Sequence, residues 1–248
     1  MGRLRQTLAL VGVAGLLVAV AVADAGGRSD DTDRVLAKIT FIHFRQAPAK
    51  PPKPGGGKPP RSDGYYTYLA NGCRWRTPEP FVVNPFNGEG LPPDFVEQAI
   101  SAGMFEWERY GGEAIYGALR LDGYAAFNDD YADGVNAFAF GTLDPEIIAI
   151  TVVWGYFSGP PQTREIVEAD MLFNDAFFQW GDGGANPLLM DLQNIATHEL
   201  GHVAGMGDLY IADAFQETMY GYSFEGDTAK RDLYNGDIAG IKKLYGVK

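Results

Sequence analysis

The chain has 248 residues, of which 46% are hydrophobic and 13% aromatic, so it can bury a sizeable core and is not wholly disordered. Residues 65–248 carry ten Lys or Arg against 27 Asp or Glu, and this net charge of −17 (with His neutral) disfavours binding to nucleic acid. Cys73 is the only cysteine, which excludes an intramolecular disulfide and metal sites built from cysteine alone.

Residues 1–25 have the pattern of a secretory signal peptide. Arg3 and Arg5 precede an apolar stretch from Leu8 to Val22, and small residues suited to signal-peptidase cleavage follow it. We therefore expect a secreted, extracellular protein. The alternative is an uncleaved segment that anchors the chain in a membrane with the rest facing outside.

Residues 26–64 are expected to form a short propiece or tether ahead of a folded domain at 65–248. They contain one strand-like run, Val35 to Phe44, followed by a Pro/Gly/Lys linker that reads PAKPPKPGGGKPPRSDG from residue 48. Because the segment is basic and the domain acidic, it can pack against the domain as a propiece. It can equally serve as a simple tether that associates with the cell surface.

The domain at 65–248 alternates strand-like and helical patterns. Strands are predicted at Trp75 to Asn84, Ala137 to Phe140, Ile147 to Phe157 and Ile166 to Phe173. Helices are predicted at Pro92 to Tyr110, from the Asp191 cap to about Ala204, and at Asp237 to Leu244. This order indicates an α+β (mixed α/β) domain around a single sheet, with the nearly all-apolar strand from Ile147 in its centre.

The segment NIATHELGHVAGMGDLY, residues 194–210, has the spacing of a metal site. His198 and His202 are four positions apart, so their imidazoles leave the same face of a helix. A catalytic Zn²⁺ takes three protein ligands and keeps one open position. Glu199, next to the first histidine, can reach a water molecule in that position and accept its proton.

The third ligand has few candidates, because the chain contains three histidines and His43 lies before the linker. Gly205 follows His202 by three positions and is suited to end the helix at a positive φ. Asp208 comes three positions later, and its carboxylate is a competent Zn²⁺ ligand. The run is therefore H-E-x-x-H-x-x-G-x-x-D.

This run resembles the zinc signature of the metzincin metalloproteases, in which a third ligand follows the glycine and a methionine-containing turn comes later. Asp208 at the third place resembles the snapalysin-type variant, and Met219 is the candidate for the methionine turn. Two flanking segments resemble matrixins: residues 168–174 are similar to the strand that borders their cleft, and residues 236–246 to their closing helix.

The resemblance implies a secreted zinc endopeptidase with a metzincin-like single twisted sheet, an active-site helix and a C-terminal helix. One catalytic zinc would be held by His198, His202 and Asp208, with Glu199 as general base and Met219 packed beneath the site. A protein or peptide substrate would bind along the strand near Ala169 to Asn174. The alternatives are a secreted zinc-binding module with four protein ligands and a hydrolase of non-peptide substrates.

Three features depart from the family or leave alternatives open. The charge of Asp208 should make the zinc a weaker Lewis acid and raise the pKa of its bound water. The family's second, structural zinc uses histidines that this chain lacks, so we expect one zinc. Cys73 is either a latency thiolate on that zinc or, as its sequence context favours, a free or buried thiol.

Two acidic stretches, Asp122 to Asp133 and Asp175 to Asp182, contain the oxygen ligands that Ca²⁺ prefers. Neither matches the EF-hand pattern. A structural calcium site and simple solvated loops are therefore the two interpretations of these stretches.

Overall fold

The computed structural model describes residues 34–46 and 64–246. In these ranges the helices are α1 (Pro93–Gly111), α2 (Leu192–Val203) and α3 (Asn235–Tyr245). The strands there are β1 (Ala37–Arg45), β2 (Phe81–Val83), β3 (Leu119–Leu121), β4 (Asn136–Gly141), β5 (Ile147–Tyr156), β6 (Glu165–Asn174), β7 (Trp180–Gly181), β8 (Met190–Asp191) and β9 (Tyr222–Ser223). Seven strands form one sheet in the order β3-β2-β4-β6-β5-β1-β9, and β7 pairs with β8 separately.

The predicted fold class is confirmed: one mixed sheet packs against a site-bearing helix, α2, and a C-terminal helix, α3, packs against α1. Helix α1 buries the predicted stripe of Val96, Ile100, Met104 and Trp107. The predicted strand from Trp75 shrinks to the three residues of β2, because prolines at positions 78 and 80 cannot donate to a strand ladder. None of the described helices has the length and apolarity needed to span a bilayer.

Strand β1 belongs to the sheet, although the linker separates it from the other strands in sequence. It runs antiparallel to β5, with Thr40 opposite Val152 and Ile42 opposite Ile150. At its end it lies parallel to β9, where Phe44 is opposite Tyr222. Strand β5 was expected to lie inside the sheet, and it does so because β1 pairs with the edge that β6 leaves free. The predicted signal peptide and linker lie outside the described residues, so the domain boundaries stay predictions.

The expectation that a substrate binds along Ala169 to Asn174 is wrong. These residues lie in β6, which pairs with β4 on one side and with β5 on the other. A strand with both edges paired has no free backbone groups to offer a peptide. Strand β5 follows β6 in the sheet, and its other edge is paired with β1.

Helix α2 is fixed in place by buried aromatic side chains that donate hydrogen bonds to its backbone carbonyls. Trp107 Nε1 donates to Thr197 O at 2.7 Å, and Tyr116 donates through its hydroxyl to Leu200 O at 2.7 Å. Trp75 Nε1 donates to Val203 O at 2.8 Å, where the helix ends and its carbonyls lack partners within the helix. These bonds hold the helix that carries the predicted site at a defined position against the core.

Candidate metal centre

Local sequence sets both ends of α2. The Asp191 side chain caps the start by accepting a hydrogen bond from Asn194 N at 2.8 Å. At the other end Gly205 has a φ of 104°, as expected from the sequence, and an ideal Cβ there would lie 2.6 Å from Cys73 O. Only glycine fits this turn, which brings Asp208 back toward the histidines.

The predicted ligands converge. Nε2 of His198 and Nε2 of His202 lie 3.3 and 3.4 Å from the same atom, Oδ1 of Asp208. Ligand atoms at the corners of a zinc tetrahedron are about 3.3 Å apart when each lies about 2.0–2.1 Å from the metal. The three atoms form one of the two groups of described residues with a geometry that could hold a metal ion.

The hydrogen bonds of the His198 and His202 rings leave the acceptor nitrogen of each ring, Nε2, facing Oδ1 of Asp208. His198 Nδ1 lies 2.7 Å from Thr218 O and His202 Nδ1 lies 3.1 Å from Met206 O. Since carbonyls only accept, each Nδ1 carries the hydrogen and each Nε2 presents a lone pair. His198 Nε2 and Asp208 Oδ1 are buried without a hydrogen-bond partner within the described ranges. Acceptors that face one another in a buried site require a cation, so the arrangement fits zinc.

The pKa shifts of the two histidines are consistent with a metal site. Burial lowers the pKa of His198 to about 3, which keeps its ring neutral as metal binding requires. Burial also acts to lower the pKa of His202, but Asp208 outweighs it and raises that pKa. The carboxylate thus attracts positive charge to the site.

Glu199 lies beside the group with both carboxylate oxygens engaged. Thr151 Oγ1 in β5 donates to Oε2 at 2.7 Å, and His43 Nδ1 lies 2.9 Å from Oε1. Burial raises the pKa of Glu199 to about 7. A carboxylate with a pKa near neutrality can both accept and return a proton.

His43 is the site residue that sequence reasoning missed. It is 1% exposed, and its ring lies 4.0 Å from the ring of His198, centroid to centroid. His43, His198 and Glu199 form the second group of described residues able to hold a metal. Two positions earlier in β1, Phe41 stacks on His202 at 3.8 Å with an interplanar angle of 8°. The alternation of Phe41 and His43 on one strand face was the available signal.

Met219 lies beneath the site, as expected for a methionine turn. It is fully buried, and an ideal Cβ at Gly201 would lie 2.2 Å from its sulfur. Gly201 lies between the two histidines on α2, so glycine is needed there to let the methionine approach. Met219 therefore packs against the helix and is not among the candidate ligands.

Further polar residues support this centre without a clear signal in the sequence. Tyr210 donates through its hydroxyl to Asp208 Oδ2 at 3.0 Å. Asp237 in α3 accepts from the backbone amides of Thr218 and Met219 at 2.6 and 3.2 Å, which fixes the turn whose carbonyl orients His198. Buried Lys230 donates to Tyr220 O and lies 3.3 Å from His198 Nδ1.

Two further sequence expectations have different outcomes. Cys73 is a free, buried cysteine whose pKa burial raises to about 12, as the thiol interpretation expects. It belongs to neither metal-holding group of the described residues. The acidic stretches contribute no residue to those two groups, and the calcium site stays a prediction.

Comparison with known proteins finds that residues 151–246 match the model of the matrixin family. Over 203 residues the chain is 26% identical to Metalloendoproteinase 5-MMP of Arabidopsis thaliana, covering 77% of this chain and 51% of that protein. Over 96 residues it is 38% identical to human Matrilysin, covering 36% of this chain and 34% of that protein. Over 64 residues it is 41% identical to Metalloendoproteinase 1-MMP of Arabidopsis thaliana, covering 25% and 16%. The chain thus spans about half or less of the length of these relatives.

Proposed function

We propose that this chain, a matrixin-like metzincin by residues 151–246 and by its fold, is a secreted zinc-dependent endopeptidase. The observation that carries the proposal is the equal approach of two histidine Nε2 atoms, at 3.3 and 3.4 Å, to Oδ1 of Asp208. Export is supported by the sequence of residues 1–25. Protein or peptide substrates are supported by the names of the relatives, two metalloendoproteinases and a matrilysin.

In this proposal His198, His202 and Asp208 hold the zinc, and the donors behind them keep each ligand in place. When bound, zinc polarises the scissile carbonyl and lowers the pKa of a water molecule in the open position. Glu199 accepts a proton at Oε1 and transfers it to the departing amine, while Thr151 holds Oε2.

The substrate would bind as an extended strand along the outer edge of β5. A peptide there can make backbone hydrogen bonds to β5 on one side and to the segment at Tyr222–Ser223 on the other. The same groove passes over Glu199 and the histidines, as the contacts of His43 and Phe41 demonstrate for β1. Cleavage therefore requires that β1 leave this groove.

The test uses the zinc-loaded protein with its linker cut, and follows hydrolysis of a quenched, unstructured protein with and without chelator. Glu199→Gln should keep one zinc per chain and lose activity by about a hundredfold or more. Glu168→Gln is the matched control, because Glu168 is also buried but accepts from the amides of Asp133 and Gly134. Hydrolysis that is insensitive to chelator, or equal in Glu199→Gln, would refute the proposal.

A second candidate function is a zinc-binding module without turnover. It is favoured by one observation, the third imidazole at His43, which forms with His198 and Glu199 a second group of described residues able to hold a metal ion. The two candidates differ once β1 is displaced: the peptidase gains activity, whereas the module loses a ligand and gains none.

A further inference from the structure

Lys230 is a buried cation beside the candidate metal centre, and the proposed mechanism does not use it. The residue is 4% exposed, although lysines are rarely buried without a partner of opposite charge. Its backbone N–H donates to Oδ1 of Asn194 in α2 at 2.7 Å. This bond fixes Lys230 against the start of the helix that carries the candidate ligands.

The ammonium group of Lys230 has fewer acceptors than it has hydrogens to donate. Its Nζ donates to Tyr220 O and lies 3.3 Å from Nδ1 of His198, but that nitrogen directs its own hydrogen to Thr218 O. Among the described residues one acceptor therefore serves three N–H donors. A buried charge with unused donors is unfavourable unless a further acceptor reaches it.

The ion pairs of the described residues do not include Lys230. Asp227, three positions earlier in the chain, is engaged by other groups. Its Oδ2 accepts from Ser223 Oγ and its Oδ1 accepts from Ala229 N, both at 3.0 Å. Within the part of the chain that the structure describes, the charge of Lys230 is thus left without a carboxylate partner.

The ring of His43 indicates where a substrate side chain would meet this ammonium group. It lies 4.0 Å from the ring of His198, centroid to centroid, so His43 and Lys230 contact the same imidazole. Phe41, whose side chain faces the same way on β1, stacks on His202. The candidate metal centre therefore lies between positions 41 and 43 of this strand. In a substrate that runs in the direction of β1, the side chain in the place of His43 follows the cleaved bond.

We propose that Lys230 determines specificity, and that the subsite beside His198 takes the side chain of an Asp or Glu that directly follows the cleaved bond. This inference rests on the proposed function, because it names the substrate class of the same site. A carboxylate in the place of the His43 ring accepts the unused N–H groups of Lys230 and neutralises its charge. An uncharged side chain leaves the ammonium group unpaired, so the subsite discriminates against it.

The test starts from the bonds that the zinc-loaded, linker-cut protein cleaves in an unstructured protein, identified by mass spectrometry. Two quenched peptides are then compared, with Asp or Asn directly after such a bond. The kcat/KM for the Asp peptide should be at least about tenfold higher, as expected for a hydrogen bond between charged groups.

Three variants isolate the charge of Lys230. Lys230→Gln keeps a donor for Tyr220 O but loses the charge, and should remove the preference for Asp. Lys230→Arg keeps the charge and should retain the preference. Lys242→Gln is the matched control, because it removes one positive charge at an exposed position of α3 and should leave the preference unchanged. Each protein is tested with both peptides, so a loss of bound zinc lowers both values and leaves their ratio as it was.

The outcomes separate this inference from the proposed function. Equal cleavage of the two peptides by the unmodified protein, or an undiminished preference in Lys230→Gln, would overturn the role of Lys230 and leave the peptidase standing. Binding of the two peptides to Glu199→Gln is the second measurement and should favour Asp, whereas equal affinities would also overturn that role. No cleavage of the unstructured protein by any form would overturn the peptidase and this inference together.

Discussion

Nδ1 of His43 lies 2.9 Å from Oε1 of Glu199, although 156 positions separate the two residues in the chain. Strand β1 supplies one partner and helix α2 the other, so the contact joins the N-terminal segment to the candidate catalytic group. Both side chains are fully buried. The state of β1 and the availability of Glu199 are therefore directly coupled.

Tyr210→Phe should weaken zinc binding without unfolding the protein. The Tyr210 hydroxyl donates to Oδ2 of Asp208 at 3.0 Å, which turns Oδ1 toward the histidines. Loss of such a supporting bond typically raises a metal dissociation constant about tenfold or more. Competition with a chelating dye measures this constant. Tyr222→Phe is the control, because that ring packs against Tyr210 and the substitution leaves the Asp208 contact in place. Equal constants for Tyr210→Phe and the unmodified protein would contradict the role of the hydroxyl.

Asp208→His should move the acid limb of the pH–rate profile to lower pH. A carboxylate ligand adds negative charge, which raises the pKa of a zinc-bound water relative to a site with three neutral imidazoles. Replacing it removes that charge, so the active form appears at lower pH. The measurement is kcat/KM against pH for the linker-cut protein. An acid limb that stays in place while zinc remains bound would show that the charge of Asp208 does not set this pKa.

Gly201→Ala should destabilise the fold by about 1–3 kcal/mol. An added Cβ would lie 2.2 Å from the sulfur of Met219 and 2.6 Å from Cζ2 of Trp107. The methionine can move, but the indole is held by its hydrogen bond to Thr197 O. Urea denaturation measures the change, and Gln193→Ala on the same helix is the control, with an expected effect within about 0.5 kcal/mol. A Gly201→Ala protein as stable as this control would contradict close packing of Met219 on α2.

Because Asp170 is buried, the free energy of unfolding should decrease as pH rises through the neutral range. Burial raises its pKa from 3.8 to about 8, so the folded chain retains a proton that the unfolded chain has released. The free energy of unfolding therefore decreases between these two values and levels off above them. In Asp170→Asn this decrease should be smaller, as measured by urea denaturation of the metal-free protein at several pH values. Asp130→Asn, at an exposed position, should keep the slope of the unmodified chain. Equal slopes in all three proteins would refute the assignment.

Most helices and strands could be predicted from the sequence, because their signals lie within a few neighbouring residues. The apolar stripe of α1, the Asp191 cap and the positive φ of Gly205 each follow from a few neighbouring residues. The same holds for the spacing of His198 and His202 on α2. The convergence of Asp208 on these histidines followed from one glycine turn and needed no distant information.

Long-range pairing was the part that sequence could not supply. Which strand pairs with the outer edge of β5 depends on contacts across more than 100 positions, such as Ile42 with Ile150. The Pro/Gly/Lys linker indicates a separate N-terminal segment, so the sequence alone does not place His43 near the candidate metal centre. The contributions of Tyr210 and Asp237 likewise depend on where a side chain lies in three dimensions.

The most direct test of the proposed centre is anomalous diffraction at the zinc edge from crystals of the zinc-loaded protein. We expect a peak about 2.0–2.2 Å from Nε2 of His198, Nε2 of His202 and a carboxylate oxygen of Asp208. No peak at this point in fully zinc-loaded crystals, or a peak that leaves Asp208 outside bonding distance, would contradict the proposed ligand set.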